Sequence, residues 1–184
     1  MNIIIFDSLG GGIPGLSWKL YSKMQPGWER ISAVSWSDAM NKLGTKLSEG
    51  KRTGIYKIDT LQLWSHGQPG KPLLNNKPIE SAFVKFLSVC VTPKSLVWFR
   101  SCSVFYGQTG LEFAERTVQE LHCRVAGHTR IIGWPRQSGL YSVRPNQHFV
   151  DPFDQIVPDW KKNVSSRTAP HTIWAGAMTF PNEW

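Results

Sequence analysis

The sequence predicts a single α/β domain with a mainly parallel sheet flanked by helices, and three observations carry that expectation. Two apolar runs, Leu61-Gln62-Leu63-Trp64-Ser65 and Leu96-Val97-Trp98-Phe99-Arg100-Ser101, have the length and the β-branched or aromatic content of strands. The stretch between them carries helical spacing, and a strand, helix, strand order favours a right-handed parallel crossover. The chain has 184 residues, which fits one domain able to bury about 70% of its extended surface.

The elements follow in order. Ile3 to Phe6 reads as the first strand, before Gly10-Gly11-Gly12-Ile13-Pro14-Gly15 and a short helix from Leu16 to Met24. A second strand is expected around Arg30 to Ser35. Ser37 then caps a helix with Met40, Leu43 and Leu47 on one face, and Gly50 stops it. After the strand that ends at His66, Pro78 sits in a first helical turn ahead of the stripe Ile79, Phe83, Phe86, Leu87 and Cys90. Beyond Cys102, Thr109-Gly110-Leu111-Glu112 has capping-box spacing, and Leu111, Ala114, Val118 and Leu121 mark the helix it opens. Arg124 to Ala126 begins another strand, whose end at Gly127-His128 falls near the same sheet edge. From 134 to 184 repeated X-Pro pairs predict a loop-rich cover, with a last strand from Ile173 to Phe180.

Composition narrows the function classes. Hydrophobic content of 41% and charged content of 18% are globular values, and no apolar run of about 18 residues could span a bilayer. The apolar start lacks the basic flank and long core of a signal peptide. Three cysteines, Cys90, Cys102 and Cys123, make neither a disulfide framework nor a zinc pattern, so reduced thiols in a cytoplasm are expected. The net charge of +8 raises an anionic partner, but the basic residues are scattered, so nucleic acid is not favoured. Arg100, Arg130, Arg136 and Arg144 could favour acidic substrate residues.

Two reactive side chains stand where the matched runs stop: His66-Gly67 after the first, Cys102 after the second. In adjacent parallel strands, roughly 5 Å apart, an imidazole and a thiol at these ends could meet. Cysteine is strongly nucleophilic as thiolate, and an imidazole lowers its pKa or takes its proton on attack. Gly67 admits a substrate backbone, and its N–H with that of Cys102 could form an oxyanion hole. Taken singly, each residue has a bland explanation, His66 as a hydrogen-bonding strand end and Cys102 as a small buried hydrophobe.

An apolar strand, His-Gly, a crossover helix, a second apolar strand and a small residue before Cys resemble the caspase-like cysteine peptidases of clan CD. The similarity is closer to an uncharacterised bacterial branch with a Ser-His-Gly motif followed by Gly-Cys, a Gly-rich loop and an amphipathic helix. Here those parts read Ser65-His66-Gly67, Ser101-Cys102, Gly107-Gln108-Thr109-Gly110 and the helix from Leu111, within about two fifths of the chain. The resemblance implies Cys102 as nucleophile, His66 as base or acid, Gly67 as oxyanion donor, a peptide or protein substrate, and no metal or organic cofactor. It departs from caspases in the residues around Cys102, Arg100-Ser101-Cys102-Ser103-Val104, and in the 36-residue interval from His66, against roughly 50. Caspase aspartate specificity is therefore not transferred.

Other patterns compete. Gly10, Gly12 and Gly15 fit G-x-G-x-x-G, but Pro14 disrupts the helix start and no acidic residue ends the second strand, so a simple loop is favoured. Trp64-Ser65-His66-Gly67 carries half of a nucleophile elbow, and Asp151 or Asp154 with His171 would complete an esterase triad on Ser65. A non-catalytic caspase-like module binding a partner through its basic, tryptophan-bearing surface is a third reading. Trp64 and Trp98 read as packing, and Trp134, Trp160, Trp174 and Trp184 as cover, while His128, His148 and His171 have no metal-ligand spacing.

Overall fold

The computed structural model of the chain describes residues 1–9, 25–52, 54, 56–133, 136–147, 160–166, 169, 171 and 173–174. Ile3, Ile4 and Ile5 supply β-branched side chains to both faces of β1 (Asn2–Asp7), and all three are buried. Parallel to it run β2 (Glu29–Ala33), β3 (Thr60–Trp64), β7 (Leu96–Arg100) and β8 (Arg124–His128), while β10 (Leu140–Val143) is antiparallel. The sheet order is β10-β8-β7-β3-β1-β2. Its parallel part is the flavodoxin-like order 2-1-3-4-5, in which ligands bind outside the carboxyl ends of the strands.

Three helices cover one face: α1 (Trp36–Lys51), α2 (Ser81–Cys90) and α3 (Gly107–Leu121). Their apolar stripes join Ile5, Leu63, Phe99 and Val125 of the strands in one core. On the other face Ile4, Phe6 and Trp64 meet Trp28, and Trp98, Ala126 and Leu140 meet Ile173. Among the described residues no helix is long and apolar enough to cross a membrane.

Several boundaries differ from expectation for identifiable reasons. Ser35, not Ser37, caps α1, its Oγ accepting the Asp38 N–H at 3.1 Å, because Trp36 must enter the helix to pack on Phe83. Gly50 lies inside the helix, which runs on to Lys51. Thr109 lies inside the first turn of α3 and forms no capping box; Gln108 instead donates to Glu112 at 3.0 Å.

The largest departure lies between the two key strands. Three short antiparallel strands, β4 (His66–Gln68), β5 (Lys71–Leu74) and β6 (Lys77–Pro78), form an arm outside the main sheet. Pro69-Gly70, with Gly70 at φ +69°, and Asn75-Asn76, at φ +51° and +59°, supply the turns. Pro78 therefore ends the arm, and α2 starts at Ser81. Within 134–184, β10 completes the main sheet and β9 (Arg136–Gln137) pairs with β11 (Ile173–Trp174), so this cover is less irregular than its prolines suggest. The glycine loop, the helix expected at 16–24, Asp151, Asp154, His148, Trp134 and Trp184 lie outside the described residues.

Candidate active site

The register of β3 and β7 decides what meets at the sheet edge. Thr60 pairs with Leu96 and Trp64 with Arg100, and the same offset extended past these last paired residues would put Ser65 opposite Ser101 and His66 opposite Cys102. The first of those pairs is locked by a hydroxyl contact of 2.8 Å between Ser65 and Ser101. The interval from His66 to Cys102 is therefore the pairing register itself. Beyond it the chains part, His66 starting the arm and Cys102 entering the turn that leads to α3.

Gly67 holds the arm against that turn. A Cβ built on Gly67 would lie 2.5 Å from the Cys102 carbonyl oxygen, 2.8 Å from Ser101 Cβ and 3.0 Å from the Cys102 nitrogen. No side chain fits there. Within the arm Gly67 faces Pro72, which has no N–H, so the exchanged hydrogen bonds of the ladder fall at His66–Leu73 and Gln68–Lys71. The Gly67 N–H is thus directed away from β5, as an oxyanion donor requires. The Gly70 N–H donates to the Val104 carbonyl at 3.0 Å, tying the arm's first turn to the segment after Cys102.

His66 and Cys102 are both half-buried. Cys102 Sγ lies 3.6 Å from the Ile132 carbonyl oxygen, with the thiol as donor. Burial pushes this thiol above its ordinary pKa, and backbone groups of Ile132 and Cys102 only partly offset it. The sequence-based option of a thiolate preformed by low pKa is therefore opposed by this environment. A nucleophilic Cys102 would therefore need its proton removed at the moment of attack. Cys90 and Cys123 are driven further, to about 11 and about 12, by burial.

Ser65 is not arranged as a nucleophile. It is buried, and its hydroxyl proton goes to the His66 carbonyl at 3.0 Å, so the Ser101 hydroxyl is the donor within their pair. His171 turns its Nδ1 to the Leu140 carbonyl at 3.0 Å. Ser65→Ala should therefore cost about 1–2 kcal/mol in urea unfolding, for the lost hydroxyl chain. An unchanged midpoint would mean that this chain does not hold the two strand ends together.

Beneath the site lies a polar group of side chains that sequence reasoning did not assemble. Arg100 is 2% exposed, its guanidinium 5.0 Å from the Trp64 ring and 4.7 Å from the Trp98 ring. It donates to Gln137 at 2.7 and 3.0 Å and to Gln62 at 3.1 Å. Burial lowers its pKa to about 9, which leaves it charged at neutral pH. The two tryptophans read as packing are the walls of this cation site. Arg100 is thus not a surface residue of the edge, and the side chain of Arg136 lies outside the described residues. The signal was present: two tryptophans and an arginine on alternate residues of paired strands share one face.

His128, one of the histidines without metal-ligand spacing, is fully buried at the end of β8. Its Nδ1 lies 3.1 Å from the Ser138 carbonyl, an acceptor only, which assigns the ring proton to Nδ1. Burial, with a smaller contribution from Arg100, lowers its pKa to about 3 and keeps it neutral.

No family model matches the chain. No curated protein matches it either. Among solved structures, a secreted C11 cysteine protease from Bacteroides thetaiotaomicron, determined by X-ray in complex with an irreversible peptide inhibitor, is similar at a TM-score of 0.44 and 11% identity. The similarity covers 71% of this chain and 49% of that one, so the chain spans about half of that protein's length.

Proposed function

We propose that this chain is a cysteine peptidase that cleaves peptide bonds with a His66–Cys102 dyad. The observation that supports the reading is the β3–β7 register, whose offset, extended by two residues, brings His66 and Cys102 to the same carboxyl edge of the sheet, with Gly67 packed on the cysteine backbone. Cys102 Sγ attacks the scissile carbonyl carbon as His66 takes the thiol proton, and the N–H groups of Gly67 and Cys102 hold the oxyanion. The tetrahedral adduct collapses to a thioester, and the amine leaves with the proton from His66. Water, deprotonated by His66, then releases the acid and restores the thiol.

A non-catalytic module on the same fold is favoured by one observation, the burial that raises the Cys102 thiol. Alkylation by iodoacetamide from pH 6 to 9, read by mass spectrometry in the wild type and His66→Ala, separates the two. Cys90 and Cys123 should stay unmodified near neutral pH and report an intact fold. Cys102 should label, and His66→Ala should slow it by roughly tenfold or more at pH 7–8. Cleavage of a peptide library should be lost in both His66→Ala and Cys102→Ala. Labelling indifferent to His66, with no cleavage, would replace the peptidase by the binding module.

A further inference from the structure

The arm that carries His66 is small and lies outside the main sheet. Gly70 ties one end to Val104, the Trp36 indole N–H donates to the Lys77 carbonyl at 3.0 Å, and Leu74 is buried in the core. A further tie, at the Asn75 turn, comes from the opposite side of β3. Asp7, the last residue of β1, is completely buried, and its Oδ2 accepts the Asn75 N–H at 2.8 Å across 68 residues of chain. Its Oδ1 accepts the Leu9 N–H at 3.0 Å, a local Asx-type turn that needs only one oxygen.

A buried carboxylate is costly, and a turn residue after β1 could make the Leu9 bond as a neutral asparagine. The second oxygen is what distinguishes Asp7. Asn75 is the first central residue of a two-residue hairpin turn, where the strand ladder offers its N–H no partner and water would normally take it. Here a charge-assisted bond holds it to the core. His66 pairs directly with Leu73, two residues before Asn75. Fixing the turn therefore fixes the strand against which His66 is registered.

We propose that Asp7 is a positioning residue for the site: its carboxylate pins the Asn75 turn and so holds the arm with His66 at Cys102. The inference rests on the dyad reading and deepens it. Asp7 touches neither substrate nor sulfur and acts through the arm. Asp7→Asn keeps the volume but leaves one neutral oxygen, so the Asn75 N–H loses either its acceptor or the charge that strengthens the bond. With the tie gone, His66 should no longer assist Cys102.

The test is the pH profile of Cys102 alkylation in full-length wild type, His66→Ala and Asp7→Asn. Asp7→Asn should reproduce the His66→Ala profile, roughly tenfold slower at pH 7.5, with Cys90 and Cys123 still protected. A wild-type profile in folded Asp7→Asn would overturn the proposal while leaving the dyad standing. A wild-type profile in His66→Ala would instead remove the dyad, and the positioning role with it. Where Asp7→Asn exposes Cys90 and Cys123, amide exchange of the wild type decides. The Asn75 N–H should exchange at least roughly a hundredfold more slowly than that of Asn76, and equal rates would overturn the tie.

Discussion

Lowering the pH from 7 to 5 is expected to remove about 2 kcal/mol of stability through His128 alone. The imidazole is buried and neutral, with a folded pKa near 3 against an ordinary 6.5. Between those values the unfolded chain binds the proton that the folded chain refuses, so stability is complete above pH 6.5 and is lost as pH falls toward 3. Each unit within that window costs up to about 1.4 kcal/mol. Protonation would place a second cation on the side of the sheet that already holds Arg100, and Nε2 has no hydrogen-bond partner among the described residues to share the charge. Urea unfolding at pH 7, 6 and 5 measures the slope. His128→Asn keeps a donor near the Ser138 carbonyl without titrating and should flatten the curve between pH 6.5 and 5, above the main carboxylate range. An unchanged slope would mean that acid enters elsewhere.

The central parallel strands were legible because they are buried on both faces and read as near-continuous apolar runs. Ile3 to Ile5, Leu61 to Trp64 and Leu96 to Phe99 need no alternation to be recognised. The helix stripes were legible for the complementary reason: Leu43 and Leu47, Phe83 and Leu87, and Val118 and Leu121 all join one core. The helix starts were not. Trp36 looks like loop until Phe83 is seen beneath it, and tertiary packing then outweighs the local preference for Ser37 as cap.

That the chains leading to His66 and Cys102 leave the sheet at one edge could be read from two matched runs, because parallel strands convert sequence offset into register. The arm between them could have been read from Pro69-Gly70 and Asn75-Asn76, both strong turn pairs. Pro78 and the apolar stripe after it masked that signal by suggesting an earlier helix. The turn that Asp7 holds and the amide that completes the Arg100 site could not be assigned from the chain alone. Those partners, the Asn75 amide and the Gln137 oxygen, are far away in sequence, and only the sheet order brings them within reach.

Gly67→Ala should be the most damaging single-methyl change at the site. The added carbon would meet the Cys102 carbonyl oxygen at 2.5 Å and the Cys102 nitrogen at 3.0 Å, and both are backbone atoms with no rotamer to escape into. Relief to ordinary contact needs a movement of about 1 Å of the arm against the cysteine turn. Overpacking of this kind costs about 1–3 kcal/mol, visible as a lower urea midpoint. The larger consequence is chemical. The same movement carries His66 and the Gly67 N–H away from Cys102, and a displacement of about 1 Å is worth roughly a hundredfold in rate. Cleavage should fall by about that factor, with Cys102 alkylation reduced toward the His66→Ala rate. Gly70→Ala is the informative partner, since there the added carbon meets Thr109 in α3, its oxygen at 2.7 Å and its methyl at 2.8 Å, at the far end of the arm. Because Gly70 also sits at φ +69°, it should lose comparable stability yet retain more of the His66-dependent labelling than Gly67→Ala. Equal loss of labelling in both would mean that the arm moves as one rigid piece, and that contact at Gly67 has no special part in holding the dyad.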